Sequence, residues 1–155
     1  MNRLSQLVYP TTVRASLSVE SKKGLFAVVG QVAAASLGLD AAEVTEALTE
    51  RERLGSTGFG RGVSLPHARI SGLNGVRGMV FQLAKPIDFD AVDALPVDIA
   101  FVLLSPADAG ADHLKALAQV SRFLRDDATV TRLRGAHDAE ALYALLIEDE
   151  TRDAA

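Results

Sequence analysis

The stretch GSTGFGRGVSLPHAR, residues 55–69, concentrates the side chains most able to do chemistry. Glycines at 55, 58, 60 and 62 permit positive φ and let backbone N–H groups approach a small anion, and Ser56 and Thr57 add hydroxyl donors. A tight helix-to-strand connection that uses glycine merely to turn is the plain alternative. His67 weighs against it. Pro66 fixes its own φ and biases Leu65 toward an extended conformation, so the imidazole rides on a stiff mount. With an ordinary pKa of about 6.5, such a ring is largely neutral near pH 7 and has one bare, nucleophilic nitrogen. Attack on a phosphoryl group yields a phosphohistidine, whose N–P bond is labile enough to hand the group onward, while positioned donors and cations stabilise the equatorial oxygens. Arg51, ahead of the loop, and Arg61 and Arg69 around it are the candidate cations.

Other chemistries fit these residues less well. A P-loop requires G-x-x-x-x-G-K-[ST] between strand and helix, and the dinucleotide fingerprint requires G-x-G-x-x-G opening a helix. Here Gly60 is followed by Arg61-Gly62 and a strand-like run, so neither motif is met. His113 falls in the first turn of an expected helix, whose positive end would lower its pKa and leave a neutral ring able to donate to phosphate or to His67. Taken alone it reads more readily as an exposed helix-start residue. His137, beside Asp138 at a helix entry, reads as surface. The histidines have no short metal-ligand spacing, cysteine is absent, and Asp88, Asp90, Asp93 and Asp98 lack EF-hand spacing, so neither metal nor cofactor is expected.

Helices and strands must bring these residues together. Leu25, Val28, Val29 and Val32 recur at helical spacing over Ser21–Leu37, ahead of a capping Gly38. Asp40 and Glu43 suggest a capping box opening a second helix that ends at Leu54-Gly55, with Arg51 in its last turn. Val63-Ser64-Leu65 alternates like a brief strand, and Val76–Ala84 and Val97–Leu104 are stronger strands, the latter apolar enough to be covered on both faces. In the helix expected over Asp112–Leu124, the stripe Leu114, Leu117, Ala118, Ser121 and Leu124, with Val120 and Phe123 beside it, predicts burial over much of the girth. A short helix over Thr129–Arg134 and a last one from Asp138 to about Asp149 follow, with TRDAA a frayed tail. The start of the chain reads as irregular. These elements predict one α/β domain over residues 1–150, with a mixed β-sheet flanked by helices on both faces, and a tail over 151–155.

Composition narrows the setting. Apolar residues make up 48% and charged residues 23%, enough to build a core. A net charge of −4, from 20 acids against 16 bases, argues against a general nucleic-acid footprint or a polybasic membrane surface. The N-terminus has no apolar run of the signal-peptide kind and no segment approaches a membrane span, so no stable membrane insertion and a cytoplasmic location are expected.

The pattern Arg51-Glu52-x-x-Gly55-Ser56-Thr57-Gly58-x-Gly60-x-Gly62-Val63-x-x-Pro66-His67 resembles the active-site signature of the fructose/mannitol class of IIA domains in the bacterial phosphoenolpyruvate-dependent phosphotransferase system. The block PIDFDAVDALPVDIAFVLLSPADAGADHLKALAQVSRFLRD is similar to that family's later strand and second-histidine helix. Phe59 stands where isoleucine is commoner and Arg61 where asparagine is common. The resemblance implies that His67 accepts a phosphoryl group from an HPr-like phosphocarrier protein, that His113 positions that group, and that Arg51 is an active-site cation. It implies a phosphoryl-binding role for Gly55, Ser56, Thr57 and Gly58. The opening SVESKKGLFAVVGQVAAASLGLDAAEV and the segment PIDFDAVDALPVD look more like the nitrogen-related branch, whose members regulate target proteins, than like sugar-transporting IIA domains that pass phosphate to a IIB subunit. A passive small-anion or nucleotide-binding module with no transfer chemistry is the alternative from another class.

Overall fold

In the computed structural model, which describes residues 4–154, α1 (Leu4–Leu7) leads into β1 (Val8–Leu17), followed by α2 (Lys22–Leu37) and α3 (Ala41–Leu54). Five strands come next: β2 (Gly58–Gly60), β3 (Val63–Ser64), β4 (His67–Ile70), β5 (Arg77–Ile87) and β6 (Val97–Pro106). Then come α4 (Ala111–Arg125), α5 (Asp127–Gly135) and α6 (Ala139–Ala154). The caps explain most boundaries. Ser21 accepts from the Gly24 N–H, Gly38 closes α2 at φ 71°, and Asp40 accepts from the Ala42 and Glu43 N–H groups. The expected capping box is one-sided, because the Glu43 carboxylate accepts from Ser71 Oγ at 2.8 Å. The last helix runs to Ala154, past the expected end near Asp149.

The sheet is mixed, with six strands in the order β1-β5-β6-β3-β2 and β4 also paired with β6. β1 is parallel to β5, β5 antiparallel to β6, and β3 and β4 parallel to β6. The irregular start expected from the sequence is therefore an edge strand. Its periodicity is hidden by a register shift between Val8 and Val13, where Pro10 falls, and a bulged edge is where a sheet tolerates proline. The segment β4, also not foreseen, starts at His67 itself.

β6 alternates between two cores, as expected of a strand covered on both faces. Ile99, Phe101 and Leu103 pack with residues of α4, α5 and α6, whereas Ala100, Val102 and Leu104 pack with α2 and α3. One helix departs from its expected orientation: α4 buries His113, Ala116, Val120, Phe123 and Leu124 and leaves Leu114 64% exposed. The apolar stripe proposed through Leu114 and Ala118 is displaced because His113 takes the inward position at the head of the helix. Among the described residues, no helix is long and apolar enough to cross a membrane.

The α2–α3 crossing sets where Arg51 can reach, and it is tight at Gly30, where a Cβ would lie 2.6 Å from the Ala41 carbonyl oxygen. Gly30→Ala should therefore cost about 1–3 kcal/mol of stability by overpacking, read as a lowered urea midpoint at unchanged m-value.

Candidate functional site

The chain between α3 and β4 is positioned by a carboxylate. Glu52, in the last turn of α3, is 9% exposed, and its oxygens accept from the Thr57 N–H at 3.0 and 3.2 Å and from Thr57 Oγ1 at 2.6 Å. Lys22 Nζ, which also lies over the Phe89 ring, donates to the same carboxylate at 3.0 Å. Ser56 Oγ donates to the Phe89 carbonyl and accepts from the Gly58 N–H, while the Gly55 N–H returns to the Glu52 carbonyl. Gly58 leaves no room for a side chain, since a Cβ there would come within 2.9 Å of Ala91 Cβ. The expectation that Gly55, Ser56, Thr57 and Gly58 turn donors toward an anion is thus not met in this conformation. Those donors are satisfied internally, and the loop is a strut.

After the turn Gly60-Arg61-Gly62, where φ is 109°, 60° and 80°, β3 joins the edge of β6. Pro66 brings no N–H to the ladder and separates β3 from β4, while its carbonyl still accepts from the Leu103 N–H at 2.9 Å. His67 pairs with Leu103 and Arg69 with Ser105, so His67 and Arg69 share the face of the sheet covered by α4.

His67 Nδ1 lies 2.9 Å from the Leu65 carbonyl oxygen. A carbonyl only accepts, so Nδ1 carries the proton and Nε2 is left with a lone pair. Arg51 Nε donates to that Nε2 at 3.2 Å, and Arg51 Nη1 donates to the Gly55 carbonyl at 2.9 Å. The ring of His113 is tilted against His67 with centroids 5.7 Å apart, and His113 Nδ1 lies 2.6 Å from Ser105 Oγ. Burial pushes the pKa of His67 down, opposed by the Leu65 carbonyl and reinforced by the Arg51 charge. Burial also lowers His113, with help from the charges of Arg69 and His67. Two neutral imidazoles in contact, one with an unprotonated nitrogen facing a guanidinium, can act on an electrophile of high negative charge.

The structure brings His67, His113 and Arg51 together, with Arg69 on the same face. Arg61 is elsewhere: its guanidinium donates to the carbonyls of Leu124 and Arg125 at the end of α4 and pairs with Asp127. It is not a cation of this site, because cationic side chains are drawn to the unpaired carbonyls at a helix C-terminus. Of the acidic run, Asp93 accepts from the Arg61 and Leu95 N–H groups, which lowers its pKa, and Asp98 pairs with Arg134. Both anchor turns. Glu52, although inside the sequence pattern, carried no assigned role, and its spacing to Thr57 is the signal that could have found it. For Lys22 and Ser105 no local signal exists.

A mixed-sheet α/β domain with a histidine pair beside its central strands has solved counterparts. The fold superposes on the crystal structure of nitrogen regulatory protein IIA-Ntr from Neisseria meningitidis with a TM-score of 0.85 at 33% identity, covering 91% of this chain and 97% of that one. It is thus a IIA-type domain. The family model described as phosphoenolpyruvate-dependent sugar phosphotransferase system, EIIA 2, matches residues 6–149, and the chain belongs to that family. It is 42% identical to a nitrogen regulatory protein of Bradyrhizobium diazoefficiens, over 92% of this chain and 94% of the relative. It is 40% identical to one of Pseudomonas aeruginosa, over 96% and 97%.

Two outcomes follow from the geometry. Glu52→Ala strips Thr57 of its acceptor and Lys22 of its counter-charge, and should cost about 2–3 kcal/mol in chemical denaturation. His67 and His113 both have folded pKa values below the ordinary 6.5, so the unfolded chain binds more protons just below that value. Stability is therefore held above pH 6.5 and lost as pH falls through the lowered folded values, and a His67→Gln/His113→Gln double variant should show a shallower decline in urea midpoint across that window.

Proposed function

We propose that this protein is a histidine phosphocarrier in which His67 accepts a phosphoryl group from an HPr-like carrier protein, and that its phosphorylation state serves nitrogen-related regulation. The observation that carries this reading is the unprotonated Nε2 of His67, aligned by the Leu65 carbonyl and facing Arg51. In the transfer, the N–P bond of the donor's phosphohistidine breaks, its electron pair stays on the donor ring, and a new N–P bond forms at His67 Nε2. With a proton already on its other nitrogen, the donor ring leaves as neutral imidazole and no proton need move. The His67 ring becomes cationic, the Leu65 carbonyl stabilises its Nδ1–H, and that cationic ring is later a good leaving group for onward transfer. Arg51 leaves the nitrogen it occupies at rest and its guanidinium turns to the phosphoryl oxygens, where planar paired donors suit an equatorial face.

Transfer between two proteins demands close approach and exclusion of water. Leu54, which ends α3 three residues after Arg51, is 86% exposed, and Leu114, next to His113, is 64% exposed. These apolar side chains in solvent supply a collar for a docking partner. Adding about −1.5 to −2 charges at His67 would alter partner affinity by electrostatics without refolding. The name shared by the relatives supports the regulatory reading over delivery of phosphate to a sugar-specific IIB subunit.

The test is radiolabel transfer from phosphoenolpyruvate through enzyme I and the small carrier. Wild type should take acid-labile label, His67→Ala should take none while keeping its circular dichroism, and His113→Ala should slow labelling roughly 100-fold. A folded wild type that takes no label from its cognate carriers would overturn the reading. Efficient passage of that label to a sugar-specific IIB protein would replace regulation with transport.

A further inference from the structure

The two histidines are held by partners of different kinds. Leu65 offers His67 a carbonyl, which can only accept. Ser105 offers His113 a hydroxyl, which can donate or accept. Ser105 is fully buried on β6, and its Oγ lies 2.6 Å from His113 Nδ1 with no other hydrogen-bond partner among the described residues. Were Nδ1 to carry the proton and donate, the serine proton would be sealed in the interior with no acceptor, at the full desolvation cost of an unmet hydroxyl. The remaining arrangement satisfies both groups: Ser105 donates to Nδ1, and the neutral His113 ring carries its proton on Nε2.

We propose that Ser105 is a positioning residue that sets the tautomer of His113, so that the two histidines of the site hold their protons on opposite nitrogens. The functional consequence rests on the phosphocarrier reading. His67 presents an unprotonated Nε2, which attacks once Arg51 moves off it. His113 presents Nε2–H, a donor for a phosphoryl group carried on the ring 5.7 Å away. With Nδ1 occupied by Ser105 and Nε2 protonated, His113 has no free lone pair, so only one of the two rings competes for phosphorus. The other tautomer would place a second lone pair beside the phosphoryl oxygens and repel them. Strand register delivers the serine: Ser105 is opposite Arg69, two positions beyond the His67–Leu103 pair, and so on the same face as His67.

Two-bond 1H–15N correlation spectra of the imidazoles, recorded on the full chain where both rings are neutral, read the tautomers directly. Wild type should show Nδ1–H for His67 and Nε2–H for His113. Ser105→Ala should convert His113 to a tautomer mixture, leave His67 unchanged, and slow labelling by the phosphorylated carrier about 10-fold, less than the roughly 100-fold of losing the donor outright because the mixture keeps part of the Nε2–H form. Ser105→Thr, which keeps the hydroxyl, should restore both readouts. A merely structural serine would lower stability without moving the His113 spectrum. Nδ1–H on wild-type His113, or a Ser105→Ala protein with the wild-type tautomer or the wild-type rate, would sink the proposal. Should Ser105→Ala fail to fold, the wild-type spectrum still decides the tautomer, and Ser105→Cys, close in size but a weak donor, supplies the rate comparison. The expected spectra together with no label on wild type would defeat the phosphocarrier reading and leave the tautomer assignment standing.

Discussion

Glu52 is a carboxylate taken out of water at the end of a helix, and the chain around it is arranged to keep that charge satisfied. A buried carboxylate without charged and N–H partners would be expelled or protonated. Thr57 folds back to supply two donors and Lys22 reaches from the head of α2 to supply the counter-charge. That requirement sharply bends the chain between α3 and β2, and it holds Arg51, the adjacent residue, where its guanidinium spans from the Gly55 carbonyl to His67. The Thr57 hydroxyl and N–H serve this purpose, while Ser56 Oγ donates to the Phe89 carbonyl and accepts from the Gly58 N–H.

The second constraint is the break at Pro66. One edge of β6 is covered first by β3 and then by β4, and Pro66, the second of the two residues between them, cannot donate to the ladder. His67 is the first residue after that break, so its backbone is tied to Leu103 while its ring turns toward α4 and is fixed by the Leu65 carbonyl. Opposite it, α4 gives up an apolar position to His113 and leaves Leu114 in solvent. A helix optimised for core burial alone would do the reverse. Burial and the arginine charges beside them push both ring pKa values down, and at His67 the hydrogen bond to the Leu65 carbonyl opposes that shift.

Much of this was legible in the sequence. Periodicity and caps predicted α2, α3, β6 and the last helices, because those signals are local and strong. The glycine run ending in Pro66-His67 singled out His67 as a candidate, Arg51 and His113 joined it from position and resemblance, and the structure places the three side by side. β1 escaped notice because Pro10 and a bulge erase its alternation, and β4 because four residues beginning with a histidine carry no strand pattern. The stripe through Leu114 failed because hydrophobicity ranks leucine above histidine, whereas α4 turns His113 inward onto the buried Ser105. Arg61 was misplaced because sequence proximity to a loop does not say which way a long side chain turns.

The sequence by itself determined the fold class and the chemistry available, since helical and strand periods, caps and the fixed φ of a proline act between near neighbours. Tertiary structure decided what each group does. Whether a loop donor meets an anion or Glu52, which ring nitrogen of His67 is bare, and that Ser105 lies against His113 depend on strand register and helix orientation. Those are set by packing between segments distant in the chain, where no local pattern records the outcome.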